Sequence, residues 1–285
     1  MDAKFDVVVM NPPYQPPIKG FGKSGGNAKT LYDKFVKLAM NDLVKQDGYL
    51  CAVHPPKWRR PADALWPTMQ NKQVKYIEIH DKKDGQKTFG ATTRYDWYVL
   101  KNSTNNGELT DVLDEQGIKQ QVDLTNWPFF PNSHFKDIEG IIAKSGQKTC
   151  NLLYSYTAYP TNIPQSWMSR EKTDTHVHPC VCGTGKKGVV LAYTNRREEF
   201  FGVPKVIFGD GDRIHNAILD FKGEYGFTPH AMAIPIASEE EGTLLKKALE
   251  SKRFNEIIKA CKWSSFQIDY RLFRHFREDF WQEFI

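Results

Sequence analysis

The feature that most constrains the fold is a short apolar run near the start of the chain, Phe5 to Met10, with the sequence FDVVVM. A strand exposed on one face alternates polar and apolar residues, whereas a strand apolar at nearly every position is covered on both faces. Two prolines then end the run and fix the direction of the chain. The sequence therefore predicts a central strand of a parallel sheet, with the segment NPPY at its carboxyl end.

The following hundred residues alternate between helical and strand patterns. Apolar residues at helical spacing predict a helix from Leu31 to Leu43, and Tyr49 to Val53 predicts the next strand. The rhythm repeats with a short helix near Ala62 to Gln70 and strands at Val74 to Ile79 and Tyr95 to Leu100. Alternation of this length predicts an α/β fold with an open, mostly parallel sheet. The Gly/Ser/Lys-rich segment before the first helix, GFGKSGGNAK, is predicted to be a mobile loop.

A break in composition at Asn102 to Gly107, NSTNNG, predicts a domain boundary, because turn formers occur there without an apolar anchor. We place the domains at residues 1–104 and 105–285. Beyond the boundary the alternation of helical and strand patterns stops. Short β-like runs occur there at Gly188 to Tyr193 and Lys205 to Phe208. The second domain is predicted to be α+β.

The end of the chain carries two further helical patterns. Ser238 with three following glutamates predicts a capped helix start. From Asp269 to Phe284, four apolar residues recur four apart and predict a packed helix face; they are Leu272, Phe276, Phe280 and Phe284. Arginines recur every three residues on the other side, which suits a DNA-facing surface or a solvated one; they are Arg271, Arg274 and Arg277.

Composition narrows the class of protein. The chain has 285 residues, a formal charge of +5 and five cysteines, an odd number that argues against a disulfide framework and fits a reducing compartment. No apolar run approaches the ~20 residues that cross a bilayer, and the first residues lack the pattern of a secretion signal. We therefore expect no membrane partner. The expected location is the cytoplasm, or the compartment in which the DNA of the host or of a virus lies. The small positive charge alone does not indicate a nucleic-acid partner, because many proteins without one have a similar charge.

The segment Asn11-Pro12-Pro13-Tyr14 is the strongest candidate for chemistry, because open α/β sheets bind ligands at the carboxyl ends of their strands. The Asn11 side-chain oxygen and the Pro12 carbonyl can accept hydrogen bonds from an exocyclic amine and draw its lone pair out of conjugation. The two prolines pre-orient these acceptors. Tyr14 offers a flat face on which a base can stack.

These residues resemble the catalytic motif of the N6-adenine DNA methyltransferases, in particular the Eco57I-like restriction-modification type. FDVVVMNPPYQ, LYDKFVKLAMNDLVKQDGYLCAVHPPKW and KTFGATTRYDWYVLKN are similar to successive blocks of its catalytic domain, and KVIFGDGDRI and YGFTPHAMAIPIASEEEGTLLKKALES to its recognition region. The resemblance implies a partial Rossmann-like sheet followed by a target-recognition domain. It implies that Asn11, Pro12, Pro13 and Tyr14 hold an adenine flipped out of double-stranded DNA, with Phe89 on its opposing face.

The resemblance also implies S-adenosylmethionine as the cofactor. In this type of enzyme the glycine-rich turn and the acidic residue that hold it precede the NPPY segment, and this chain begins ten residues before that segment. Phe208 to Asp212, FGDGD, is similar to such a glycine-rich turn in its residue types, but no helix with an apolar stripe follows it. We therefore expect the cofactor to be held mostly by residues outside this chain, the chain being one subunit or an excised portion of a longer protein.

A missing cofactor strand would leave Phe5 to Met10 as an open sheet edge, which invites association. We expect a subunit that carries the cofactor-binding segment, or a second copy of this chain, to cover that edge.

Alternatives stay open. A catalytically inactive relative would bind DNA or support an assembly without methylating it. Methylation of a protein glutamine is disfavoured, because the chains of such enzymes end soon after the catalytic sheet, whereas most of this chain lies beyond it.

Three basic residues near Trp58 are equally compatible with phosphate contacts and with an ordinary solvated loop; they are Lys57, Arg59 and Arg60. His176 to Cys182, HVHPCVC, favours a strand over a zinc site, because structural zinc usually takes two separated ligand pairs.

Overall fold

The computed structural model describes residues 4–15, 30–263 and 267–285. The chain forms two compact units, Met1–Ser133 and His134–Ile285. The predicted loop GFGKSGGNAK, residues 20–29, lies outside the described residues.

The first unit is an α/β sheet with short helices between its strands. In chain order its elements are β1 (Phe5–Met10), α1 (Tyr32–Leu38), β2 (Val44–His54), α2 (Trp66–Asn71), β3 (Lys72–His80), α3 (Lys82–Phe89), β4 (Tyr95–Thr104), β5 (Thr110–Leu113) and β6 (Lys119–Val122). The predicted strands and both predicted helices are present, which confirms the α/β class. α1 is shorter than predicted, because the chain continues as a π-helical turn, Ala39–Leu43, and enters β2 at once.

The sheet is mixed, which corrects the expectation of a mostly parallel one. The strand order is β1-β2-β4-β3-β5-β6. β1 pairs with β2, and β3 with β5, in parallel, whereas β4 is antiparallel to both β2 and β3, and β6 is antiparallel to β5. The cause is the connection through α3, which returns the chain to the end of the sheet where β3 finishes. A neighbouring strand that starts there runs antiparallel.

β1 lies at an edge of the sheet, so the expectation of a central strand is wrong for this structure. Among the described residues its backbone pairs with β2 alone. Val7 and Val9, which lie two apart on one face, are 53% and 77% exposed. The strand has the composition of one covered on both faces, but within residues 4–15, 30–263 and 267–285 no neighbour covers Val7 and Val9. The predicted open edge is therefore present.

The boundary between the units lies later than residues 104/105. β5 pairs with β3 and β6 pairs with β5, so the sheet continues past the turn at Asn102 to Gly107. The chain divides into its two compact units between Ser133 and His134 instead. A polar turn within a sheet and a polar turn between domains have the same composition, which is why the sequence misplaced the division. The functional roles of the two domains stay predictions.

The second unit is α+β. Its elements are α4 (Phe135–Ile141), β7 (Met168–Ser169), β8 (His178–Gly185), β9 (Gly188–Thr194), β10 (Lys205–Gly209), β11 (Ile218–Asp220), β12 (Gly226–Phe227), β13 (Ala231–Pro235), α5 (Glu239–Glu250) and α6 (Lys252–Ala260). The described strands form two sheets, β12-β8-β9-β7 and β11-β10-β13. The predicted strands at β9 and β10 are present. Ser238 caps α5 as predicted, since its hydroxyl accepts from the Glu241 amide at 3.1 Å.

The segment from Asp269 to Phe284 is not the continuous helix that its spacing predicts. It consists of two 3₁₀ turns, Tyr270–His275 and Phe280–Phe284, joined through an extended stretch. Phe276 forms a bridge with Ile142, and this pairing holds the chain extended where a helix would have to continue. The predicted packed face is nonetheless present, because all four apolar residues are buried; they are Leu272, Phe276, Phe280 and Phe284.

Within the described ranges, every helix is too short or too polar to cross a membrane.

A buried ion pair joins β10 to β11 and provides a test of the second unit. Lys205 Nζ donates to Asp220 Oδ2 at 2.6 Å, with both side chains almost fully buried. Asp220→Asn would leave the Lys205 charge without its counter-charge, so we expect a loss of about 3 kcal/mol in the free energy of unfolding, measured by urea titration. Asp212→Asn is the control, because that carboxylate is 82% exposed and its pair with Lys262 should contribute less than ~1 kcal/mol. Equal losses in the two variants would contradict this assignment.

Candidate active site

The NPPY segment follows β1 at the carboxyl edge of the sheet. β1 and β2 run parallel with Met10 opposite Ala52, so Asn11 leaves the sheet beside the end of β2. Asn11 and Pro13 are exposed, Pro12 is buried and Tyr14 is half-buried. The turn therefore presents the Asn11 amide to solvent from a proline that is buried in the unit.

Hydrogen bonds inside the turn fix the orientation of the Asn11 amide. The Tyr14 hydroxyl donates to Asn11 Oδ1 at 2.9 Å, and the Tyr14 carbonyl accepts from the Leu31 amide at 3.1 Å. Burial raises the pKa of Tyr14, so its phenol stays neutral and remains a donor. An amide oxygen has two lone pairs, and the tyrosine occupies one of them. The other can accept from a ligand amine.

An aromatic group that sequence reasoning missed lies behind this edge of the sheet. The Tyr32 ring, at the start of α1, stacks on His54 at the end of β2, with centroids 4.2 Å apart and an interplanar angle of 14°. His54 Nδ1 is 3.1 Å from the Pro55 carbonyl, and Nε2 is 3.0 Å from the Tyr98 hydroxyl. Because a carbonyl only accepts, Nδ1 carries the proton and Nε2 accepts from Tyr98.

His54 has a structural role at this position. Burial lowers its pKa to about 4, so the ring is neutral at ordinary pH. Both ring nitrogens are occupied by protein groups, and the stack with Tyr32 connects α1 to β2. Since Leu31 also bonds the NPPY turn, this stack supports the turn from one side. The available signal was a tyrosine at the start of the predicted helix and a histidine directly after the predicted second strand.

Arg59 is not available for phosphate, which corrects one of the predicted DNA contacts. Its side chain is fully buried and pairs with both oxygens of Asp96, Nε with Oδ2 at 2.7 Å and Nη2 with Oδ1 at 2.9 Å. Its remaining donors reach the carbonyls of Phe130 and Pro131 and the Asn132 side chain. A guanidinium has five N–H groups, and all five are used.

Asp96 is the centre of this network. It also accepts from Trp58 Nε1 at 3.0 Å, and burial raises its pKa in spite of the adjacent guanidinium. The network joins the segment after β2 to β4 and to the end of the first unit.

The two neighbouring basic residues are less buried than Arg59. Lys57 is half-buried, and Arg60 Nε lies 3.4 Å from Asp63 Oδ2. The predicted phosphate contacts of Lys57 and Arg60 stay predictions.

Phe89 ends α3 and is 41% exposed. Its ring packs edge-on against Tyr95, with centroids 4.8 Å apart and an interplanar angle of 85°. Its predicted role opposite Tyr14 stays a prediction.

The three C-terminal arginines do not form one outward row, because the segment is not one helix. Arg271 Nε bonds Asp269 at 2.8 Å, and Arg277 pairs with Asp279 and Glu283. Arg274 is exposed and lies over the Tyr270 ring, 5.2 Å from its centroid. Arg271 and Arg277 are therefore engaged with carboxylates, and Arg274 is the more accessible of the three.

Phe208 to Asp212 does not fit the adenosylmethionine turn that its glycines suggest. A Cβ on Gly209 would meet the Thr184 backbone at 2.7 Å, so this glycine is explained by packing against β8. Lys262 Nζ donates to the carbonyls of Gly211 and Asp212. The next regular element is β11, not a helix. These residues offer no helix N-terminus for the cofactor.

His176 to Cys182 leads into and forms part of β8, as the favoured interpretation predicts. Burial raises the pKa of both Cys180 and Cys182, which keeps these thiols protonated.

Comparison with known proteins supports the resemblance in the N-terminal part of the chain. Residues 1–89 match the model of the Eco57I restriction-modification methylase family. This segment carries the NPPY turn and the β1-α1-β2 unit, so the predicted family resemblance is confirmed there. The later blocks lie outside the matched residues.

One relative is an uncharacterised adenine-specific methylase of Mycoplasma pneumoniae, 38% identical over 87 residues, which cover 28% of this chain and 20% of that protein. Similar solved structures include the Type IIL restriction-modification enzyme MmeI in complex with DNA, at 9% identity and TM-score 0.48, and the type IIG restriction endonuclease BpuSI, at 12% identity and TM-score 0.36. The match to MmeI covers 94% of this chain and 45% of the MmeI chain. The match to BpuSI covers 95% of this chain and 46% of the BpuSI chain. The chain thus spans a fifth of the curated relative.

The Arg59 network provides a test of the first unit. Asp96→Asn would leave the buried guanidinium uncompensated, so we expect a loss of about 3–5 kcal/mol in the free energy of unfolding. Urea titration followed by tryptophan fluorescence measures it, because Trp58 lies in the network.

Asp63→Asn is the matched control, since it removes the carboxylate of the looser pair with the partly exposed Arg60. That variant should lose less than ~1 kcal/mol from the ion pair. If Asp96→Asn were as stable as the control, Arg59 would not depend on its buried partner.

Proposed function

We propose that this chain is the catalytic and DNA-recognition part of an enzyme that methylates N6 of adenine in DNA. The observation that carries the proposal is the exposed NPPY turn, whose Asn11 amide is oriented by Tyr14 at the carboxyl end of β1. The match of residues 1–89 to a restriction-modification methylase family and the named activity of the Mycoplasma relative support it.

The geometry suits an amino group attached to a flat ring. Its protons would bond to Asn11 Oδ1 and the Pro12 carbonyl, which localises the lone pair on nitrogen and stabilises the positive charge that the nitrogen gains with the methyl group. A proton then leaves to solvent, so the turn needs no general base. The amine of a paired adenine is inaccessible inside the duplex, and base flipping would bring it to the turn.

We propose S-adenosylmethionine as the methyl donor, bound mostly by residues outside this chain. The FGDGD segment does not fit it, whereas the open edge of β1 offers a place for a further strand. Exposed Val7 and Val9 on that strand argue that another segment covers it. This segment would belong to a separate subunit, to a second copy of this chain, or to a longer form of the same polypeptide. Double-stranded DNA is the other partner, and the cytoplasm is the proposed location.

Substitutions in the turn test the activity. In the complex purified from the native source, we expect Asn11→Ala to lower methyl transfer to adenine-containing DNA by about 100-fold, because a pre-oriented acceptor is lost. Tyr14→Phe removes the bond to Asn11 but keeps the ring, so it should lose less activity than Tyr14→Ala. The measurement is transfer of a labelled methyl group, with N6-methyladenine identified after DNA digestion.

Asn41→Ala is the control, because Asn41 is an exposed asparagine elsewhere in the same unit. An inactive relative that only binds DNA would show normal DNA affinity, no methylation in the complete complex and no effect of Asn11→Ala. That result would refute the enzymatic proposal.

The edge of β1 is tested separately. Val9→Lys places a charge on a residue that is 77% exposed, so the chain alone should keep its stability within about 0.5 kcal/mol. Association with the covering segment should be lost, which size-exclusion chromatography of the native complex measures. Val190→Lys, at a 62% exposed valine of β9, is the control and should leave association intact. Association that survives Val9→Lys would refute covering of the face of β1 that carries Val7 and Val9.

A further inference from the structure

The second unit carries a group of three tyrosines that the sequence analysis did not single out. The tyrosine cluster consists of Tyr154, Tyr156 and Tyr270. Tyr154 and Tyr270 stack, with ring centroids 4.0 Å apart and an interplanar angle of 12°. Tyr156 meets both rings edge-on, at 4.9 and 5.8 Å. Two partners at right angles hold the Tyr156 ring in place although it is 66% exposed.

The surroundings of the cluster are fixed by backbone contacts. The Leu153 amide donates to the Ala233 carbonyl of β13 at 2.8 Å, which anchors the chain just before Tyr154. The Ile268 amide donates to the Asp210 carbonyl at 2.7 Å, which anchors the chain just before Tyr270. The tyrosines are thus presented at one end of the β11-β10-β13 sheet, where β10 finishes and β13 begins.

Charged and polar groups adjoin the rings. Arg274 lies over Tyr270, 5.2 Å from its centroid, and is exposed. At the end of β10, Asp210 Oδ2 is 3.3 Å from His230 Nδ1, and the His230 side chain is 50% exposed. Burial is the main cause of the raised pKa values of Tyr154 and Tyr270, so these phenols are neutral and add no negative charge beside the arginine.

We propose that the tyrosine cluster with Arg274 is a nucleic-acid contact of the second unit, at which a DNA base stacks on Tyr156 and Arg274 meets the adjoining phosphate. An exposed ring held rigidly binds a base face with little loss of entropy, and stacking on aromatic side chains together with a nearby cation is how proteins hold accessible bases. The inference rests on the proposed function, because that function makes DNA the partner. It assigns the contact to residues that the family match does not cover.

Binding of a short fluorescein-labelled duplex that carries an unpaired base to the full chain, measured by anisotropy, tests the proposal. We expect Tyr156→Ala to weaken binding roughly 5-fold or more, since it removes a stacking face. Tyr156→Phe, which keeps the ring, should bind closer to wild type than Tyr156→Ala does. Arg274→Gln should lower the slope of log affinity against log salt by about 1.

Two controls match these variants. Arg196 lies 4.7 Å from the Trp167 ring centroid, as Arg274 lies over Tyr270, and Arg196→Gln should leave the salt slope unchanged. Phe221 is a 41% exposed aromatic residue outside the cluster, and Phe221→Ala should leave the affinity unchanged. Photocrosslinking of wild-type protein to DNA that contains 5-iodouracil needs no variant, and we expect the modified peptide to map to Tyr154 or Tyr156.

The outcomes separate this inference from the proposed function. If wild type binds DNA, Tyr156→Ala binds equally well and crosslinks fall elsewhere, the tyrosine cluster is not a DNA contact and the proposed function stands. If the full chain binds no DNA in any form, the tyrosine-cluster contact is overturned, whereas the proposed function is overturned only if the native complex also binds no DNA. Binding of RNA but not of DNA would overturn the assignment of the ligand.

Discussion

The parallel pairing of β1 with β2 is the interaction on which the first unit's candidate site depends. It sets Met10 opposite Ala52 and thereby brings the NPPY turn beside the end of β2, where His54 stacks on Tyr32. The turn is short and its prolines are stiff, so its direction follows from the direction of β1. A slip of one residue in this register would exchange the faces of β1 and move the NPPY turn relative to His54 and Tyr32.

Local features of the site could be predicted from the sequence because their physical causes lie close together in the chain. An apolar run that ends in two prolines specifies a strand and its terminus, and Ser238 followed by glutamates specifies a helix start. The same holds for the order of the predicted strands and helices up to β4, although the sequence analysis does not include α3. Strand order is different, because it depends on which distant edges meet. The positions of β4 and β5 in the sheet follow from pairings that no local pattern encodes.

Arg59 and Arg60 show the limit for charged residues. They are adjacent and chemically identical, yet one is fully buried and the other is partly exposed. The difference is made by Asp96, 37 residues further along, and by carbonyls more than 70 residues away. Burying a guanidinium is favourable only when its donors are satisfied, and that condition is met by the fold rather than by neighbours in sequence. A basic segment beside a strand end is therefore weak evidence for phosphate contact.

The C-terminal segment makes the complementary point about apolar spacing. Four apolar residues at intervals of four do become buried, as the pattern predicts, although the backbone between them is not helical. Burial is decided by how much apolar surface leaves water, and a 3₁₀ turn followed by an extended stretch can bring the same side chains to the same core. The pattern predicts the buried face more securely than the backbone. For the arginines between those residues the backbone matters more, because their directions follow from it, and Arg274 alone of the three meets an aromatic ring in the cation–π geometry.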